Sequence, residues 1–145
     1  MEAEIEQIGK RVLDAPVGYV EQTISEIIKK PVYLKVVEQN SISGTKYLRK
    51  IVIGHDKFPI LRANVKFDSK NIPTSVMTAI LQKRESMGRI LQSNKIVAQR
   101  RITSVTLDPA ASTVTREYEI LCNDLVWFHV SEEIRLDFLR ACKDG

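Results

Sequence analysis

Apolar residues recur along this chain with two periods, and the switches between them mark out helices and strands. Near the start, Glu2–Leu13 places Ile5, Ile8 and Val12 at helical spacing, and Pro16 and Gly18 end the run. Tyr19–Lys30 carries Val20, Ile24, Ile27 and Ile28 on one side, so a second helix is expected there, stopped by Pro31. The period then changes to two. Val32–Glu38 sets Val32, Leu34 and Val36 on one face, and the polar stretch Gln39–Gly44 reads as a loop. Thr45–Ile53 and Ile60–Phe67 read as two strands of a hairpin with a somewhat long turn. In the second of these, Leu61, Ala63, Val65 and Phe67 alternate with Arg62, Asn64 and Lys66.

Helical spacing returns after Pro73, which suits a first helical turn, with Val76, Ala79, Ile80 and Leu81 as the apolar stripe. Ser86–Gln92 predicts a second, short helical piece, although Gly88 lowers its helical propensity. The last third is again strand-like: Gln99–Leu107, Val114–Cys122 and Leu125–Glu132. Asn123-Asp124 between the last two is a good two-residue hairpin turn. Ile134, Leu136–Leu139 and Ala141 predict a short terminal helix. About six strands, largely joined by hairpins, with helices at the start and middle, predict an α+β fold with an antiparallel sheet.

Length fits one domain over residues 1–145, with room for a real core. With 43% hydrophobic and 28% charged residues, the composition is that of an ordinary globular chain. No apolar run is long enough to span a membrane, and MEAEIEQIGK lacks the basic start and apolar stretch of a signal peptide, so a cytoplasmic location is expected. The net charge of +4 is spread along the chain. That argues against a nucleic-acid partner, which needs a denser basic stripe or stacking aromatics, and suits the approach of a small anion. Cys122 and Cys142 form no CxxC motif, and neither His55 nor His129 belongs to a cluster. Free thiols are expected, with no structural metal and no Cys–His nucleophile.

Two charges break the apolar pattern. In TKYLRKIVI, Tyr47, Arg49, Ile51 and Ile53 share a face; in LVWFHVSEEI, Val126, Phe128, Val130, Glu132 and Ile134 do. A charge on a buried face is costly unless something pairs with it, and Arg cannot escape by losing its proton. Arg49 and Glu132 therefore mark either a pocket for a polar, anionic ligand or an internal salt bridge, even one to each other. Alternation favours Glu132 over Glu133, which shares a face with His129 and Ser131. Arg100 and Arg101 are adjacent and point oppositely, so only one of them faces inward. On spacing alone, Met87 is a core side chain.

Three pieces in order resemble the chorismate pyruvate-lyase family: YLRKIVIGHDKFPILRANVKFD, SMGRIL at Ser86–Leu91, and TREYEILCNDLVWFHVSEE. Together they cover most of Tyr47–Glu133. The resemblance implies a six-stranded antiparallel sheet with helices packed on one side and a ligand enclosed beneath flaps. It implies cleavage of chorismate to 4-hydroxybenzoate and pyruvate, with no cofactor. By position, Arg49 matches the arginine that grips the ring carboxylate, and Glu132 matches the glutamate at the hydroxyl end. Met87, with Gly88 beside it, matches a pocket wall that offers a backbone amide, and Val20 falls where another pocket residue lies. The chain departs from the family at Asn64, where bacterial members often carry a second arginine, and after the glutamate, where SEEIRL replaces Phe-x-Pro. Effector domains of some bacterial transcription regulators resemble the same fold, so a non-catalytic module for aromatic acids is the alternative, followed by a lyase for a related cyclic carboxylate. The winged helix that precedes such effector domains is not expected ahead of Tyr47. The expected partners are thus a small anionic substrate and its aromatic acid product, in a monomer or homodimer.

Overall fold

The computed structural model describes residues 3–145, so Glu2 of the first predicted helix lies outside the described residues. Two helices, α1 (Ala3–Leu13) and α2 (Val20–Ile28), lead into strands β1 (Tyr33–Ser43), β2 (Lys46–His55) and β3 (Phe58–Asp68). A 3-10 turn at Ser69–Asn71 precedes α3 (Thr74–Leu81) and α4 (Met87–Ser93). Strands β4 (Ala98–Asp108), β5 (Thr113–Cys122) and β6 (Leu125–Arg135) follow, and α5 (Leu136–Asp144) ends the chain. The expected α+β fold is present: one six-stranded antiparallel sheet in the order β1-β2-β3-β6-β5-β4.

Local chemistry accounts for most boundaries. In α1, Glu4 and Glu6 sit in the first turn and Lys10 and Arg11 in the last, which suits the helix dipole. Lys29 ends α2 in the left-handed conformation, at φ 57°. Asn123 and Asp124 both take positive φ, 54° and 64°, as a tight hairpin turn that matches strand twist requires.

Three boundaries differ from the sequence reading. The predicted loop Gln39–Gly44 is mostly strand: β1 continues to Ser43, with Gln39 opposite Arg49 and Ser41 opposite Tyr47. Its polarity is that of an edge strand open to solvent rather than of a turn. The β2–β3 turn is tighter than expected, because His55 pairs with Phe58 and Asp56 takes φ 51°. Ile134 belongs to β6 rather than to the terminal helix.

One sheet face is covered by the helices and the other is open. Arg49, Ile51 and Ile53 of β2 and Leu61, Ala63, Val65 and Phe67 of β3 are all buried, while Arg62, Asn64 and Lys66 between them are exposed. Phe128, Val130, Glu132 and Ile134 of β6 continue the covered face. Phe128 packs edge-on against Phe67 at 5.6 Å, and Phe67 stacks on Tyr47 at 5.5 Å. Val126 leaves this row: a one-residue shift sets Val126 opposite Leu121 but Phe128 opposite Ile120. The extra residue, Trp127, forms a bulge that reverses which side chains face inward.

Candidate functional site

The covered face is not filled throughout. Between it and the helices lies a cavity of about 60 Å³, several times the space one ordered water needs. Its floor is made by Arg49, Ala63, Val65, Tyr118, Val130 and Glu132 from the central strands, with Arg100 from β4 at the side. Its roof is made by Val17, Gly18, Val20 and Glu21, around the start of α2, and Ser86–Gly88, at the start of α4.

The two roof segments touch through glycine. A Cβ on Gly88 would lie 2.8 Å from the Cα of Gly18, so this approach admits no side chain at residue 88. Gly18 itself has φ 94°. Ser86 caps α4, its hydroxyl accepting from the amide of Arg89 at 3.2 Å. Arg49 ties the floor to the same roof, because its Nη2 donates to the carbonyl of Glu85.

Arg49 is 1% exposed, and its Nε and Nη1 have no hydrogen-bond partner among the described residues. Burial lowers its pKa to about 10, and the charge of Glu21 partly offsets that shift. It therefore stays protonated at neutral pH, as a buried cation with donors to spare. Glu21 stands in the first turn of α2, and its own Oε1 is buried without a partner.

Glu132 is in a different state. Its Oε1 accepts from Arg116 Nε at 2.6 Å and its Oε2 from the Tyr118 hydroxyl at 2.8 Å. Arg116 is 1% exposed, and its Nη1 donates to the carbonyl of Leu13 at 2.9 Å. Arg100 donates to the carbonyl of Ala15 at 2.8 Å. The guanidinium carbons of Arg100 and Arg116 lie 4.8 Å and 4.9 Å from the Tyr118 ring centre. Burial pushes the Tyr118 hydroxyl well above the usual tyrosine range, the Glu132 charge adds to this, and the two arginines oppose it. Tyr118 is thus a neutral donor held to a carboxylate.

All of the residues picked out from the sequence, Val20, Arg49, Met87, Gly88 and Glu132, line this one cavity. Arg49 and Glu132 do not pair; the partner of Glu132 is Arg116. Of the adjacent arginines, Arg100 turns inward, while Arg101 pairs with Glu119 on the open face at 2.6 Å. Asn64 is exposed on the open face, so it adds nothing to the cavity; Arg100 is its further cation, and Arg116, outside the lining, pairs with Glu132. Sequence reasoning missed Arg116, Tyr118 and Glu21. For the first two the signal was present, because Val114, Arg116, Tyr118, Ile120 and Cys122 alternate as plainly as the β2 row does. No group of metal-holding side chains occurs among the described residues, and Cys122 and Cys142 are free and buried. Among the described residues, no helix is long and apolar enough to cross a membrane.

An antiparallel sheet with helices on one face, and between the layers a largely apolar cavity that takes in a few charged side chains, matches a chorismate lyase-like fold. Among solved structures, the effector domain of PhnF from Mycobacterium smegmatis superposes with a TM-score of 0.57 at 11% identity, over 83% of this chain and 90% of that one. Against the longer PhnF chain the TM-score is again 0.57, over 81% of this chain and 64% of that one. The ligand-binding domain of a protein assigned to the GntR family of transcriptional regulators, from Bordetella bronchiseptica, gives 0.50 at 5% identity, over 72% and 84% of the two chains. At such identities the likeness is one of fold. No family model matches the chain, and no curated protein matches it significantly in sequence.

Proposed function

We propose that this domain is a small-molecule binding module that takes an organic acid into the Arg49 cavity. The observation that carries the proposal is Arg49 itself: a cation 1% exposed, lining the cavity between sheet and helices, with two donors unpaired among the described residues. Buried donors without partners are destabilising, and a ligand carboxylate at Nε and Nη1 would relieve that cost through charge-assisted hydrogen bonds. The apolar walls, Ile51, Ile53, Leu61 and Val65 among them, suit a ring or short hydrocarbon frame. Effector and ligand-binding domains of the same fold support a sensory rather than a catalytic use.

Thermal unfolding with benzoate and 4-hydroxybenzoate tests this. A ligand at about 100 times its Kd stabilises by about 2.7 kcal/mol, a readily measured rise in Tm. Arg49→Met should abolish the rise, and circular dichroism of the variant checks that the domain still folds after losing the bond to the Glu85 carbonyl and the charge facing Glu21. No rise with any aromatic acid, or an equal rise in Arg49→Met, would overturn the proposal.

A second reading is catalytic. Arg49, Met87, Gly88, Glu132 and Val20, the positions that a chorismate lyase would use, all meet at one cavity. Arg49 would hold the ring carboxylate, and the enclosure would fix the substrate and exclude water while the ring becomes aromatic. Incubation with chorismate should then release pyruvate and 4-hydroxybenzoate above the uncatalysed rate, and absence of both removes this reading.

A further inference from the structure

We infer that Glu21 makes the cavity selective for acids that carry a hydrogen-bond donor, a hydroxyl or an ammonium group, on the same small frame. This rests on the reading that Arg49 binds an acid. Four charged side chains line the cavity: Arg49, Arg100, Glu21 and Glu132. The two carboxylates are not equivalent. Glu132 has a partner on each oxygen, whereas Glu21 Oε1 is buried with none among the described residues. Arg49 acts on Glu21 through charge, and no hydrogen bond joins them among the described residues.

A carboxylate only accepts hydrogen bonds, so whatever satisfies Glu21 must bring an N–H or O–H. None of the inward arginines supplies it: their bonds go to Glu85, Ala15, Leu13 and Glu132. A ligand placed between roof and floor would meet Arg49 and Glu21 together. A plain acid would satisfy Arg49 and leave Glu21 Oε1 desolvated and unpaired. An acid with a second, donating group would satisfy both, and unpaired polar groups are what give buried sites their discrimination. A second ligand acid would instead face Glu21.

The test is calorimetric titration of benzoate, 3- and 4-hydroxybenzoate, and 3- and 4-(aminomethyl)benzoate into the full chain. In the unmodified protein, at least one donor-bearing acid should bind about tenfold or more tighter than benzoate. Glu21→Leu should bring that ratio to about one. Glu21→Gln keeps a neutral acceptor, so it should retain preference for a hydroxyl and lose any extra preference for an ammonium group. Equal affinity for all five acids in the unmodified protein, or a ratio that survives Glu21→Leu, overturns the inference and leaves the Arg49 cavity standing as an acid site. Failure of all five to bind overturns the acid reading as well.

Discussion

Arg116→Met is the perturbation that most directly tests the charge arrangement under the cavity. Arg116 and Glu132 are 1% and 5% exposed, 2.6 Å apart, and directly opposite in the β5–β6 register. Removing one member of such a pair leaves the other charged and buried, at a typical cost of about 3–5 kcal/mol. The same change strips the Leu13 carbonyl of its donor, which adds about 1 kcal/mol. At about 2.1 cal/mol/K per residue, a domain of 145 residues unfolds with an entropy near 0.3 kcal/mol/K. A loss of about 4 kcal/mol thus lowers Tm by about 13 °C. Glu132→Leu should cost a similar amount, because it leaves Arg116 unpaired and the Tyr118 hydroxyl without its acceptor.

The double variant, Arg116→Met with Glu132→Leu, removes both charges and should cost less than either single change. Urea unfolding followed by fluorescence of the single, half-buried Trp127 measures all four proteins on one signal. A coupling of about 2 kcal/mol or more is expected between the two sites. If the two single losses add, the pair carries no coupling, and the premise that Glu132 is neutralised within the protein is wrong.

Two further outcomes follow from the roof and from Tyr118. Gly88→Ala forces the roof segments apart, so aromatic acid binding in a titration should weaken at least about tenfold; unchanged affinity would show that the Gly18–Gly88 contact does not shape the cavity. The Tyr118 hydroxyl is held protonated in the folded chain beyond its unfolded pKa of about 10, so above that pH the folded state binds more protons than the unfolded one, and stability falls as pH rises. Its contribution is fully present below about pH 10, so the stability difference between unmodified protein and Tyr118→Phe should narrow in urea melts from pH 9 to 11, and a constant difference would refute the assignment.

The parts legible in the sequence were those set by short-range pattern. Alternation in β2 and β3 put Arg49 on the inward face, and Pro31, Pro73 and Asn123-Asp124 fixed boundaries close to where they lie. Long-range pairing was harder to read, yet one constraint was available. A two-residue turn at Asn123-Asp124 pairs residues whose numbers sum to an odd value, as in Cys122 with Leu125. The buried rows of both strands, Val114 to Cys122 and Phe128 to Ile134, consist of even numbers, so their partners must sum to an even value. Only a one-residue bulge reconciles the two, and its presence at Trp127 brings Glu132 opposite Arg116 rather than Thr115. Glu21 had no such signal, because a polar residue in the first turn of a helix is common and only the fold brings it over the cavity.

A charge in an apolar row was therefore an incomplete indicator of function, since it marked Arg49 and Glu132 alike. The two differ in their hydrogen-bond inventory. Glu132 is balanced by Arg116 and Tyr118, and such a pair needs no ligand to persist. Arg49 keeps one bond, to a backbone carbonyl of the roof, and leaves two donors over. Glu21 leaves one acceptor over on the roof segment opposite. The unspent polar atoms that line the cavity, on Arg49, Arg100 and Glu21, rather than the buried charges as such, outline the proposed ligand: an acid at one end and a donating group within reach of the start of α2. The Arg116–Glu132–Tyr118 cluster then serves as the fixed base beneath it. Weakening that base should lower stability first, and affinity only through the floor it holds in place.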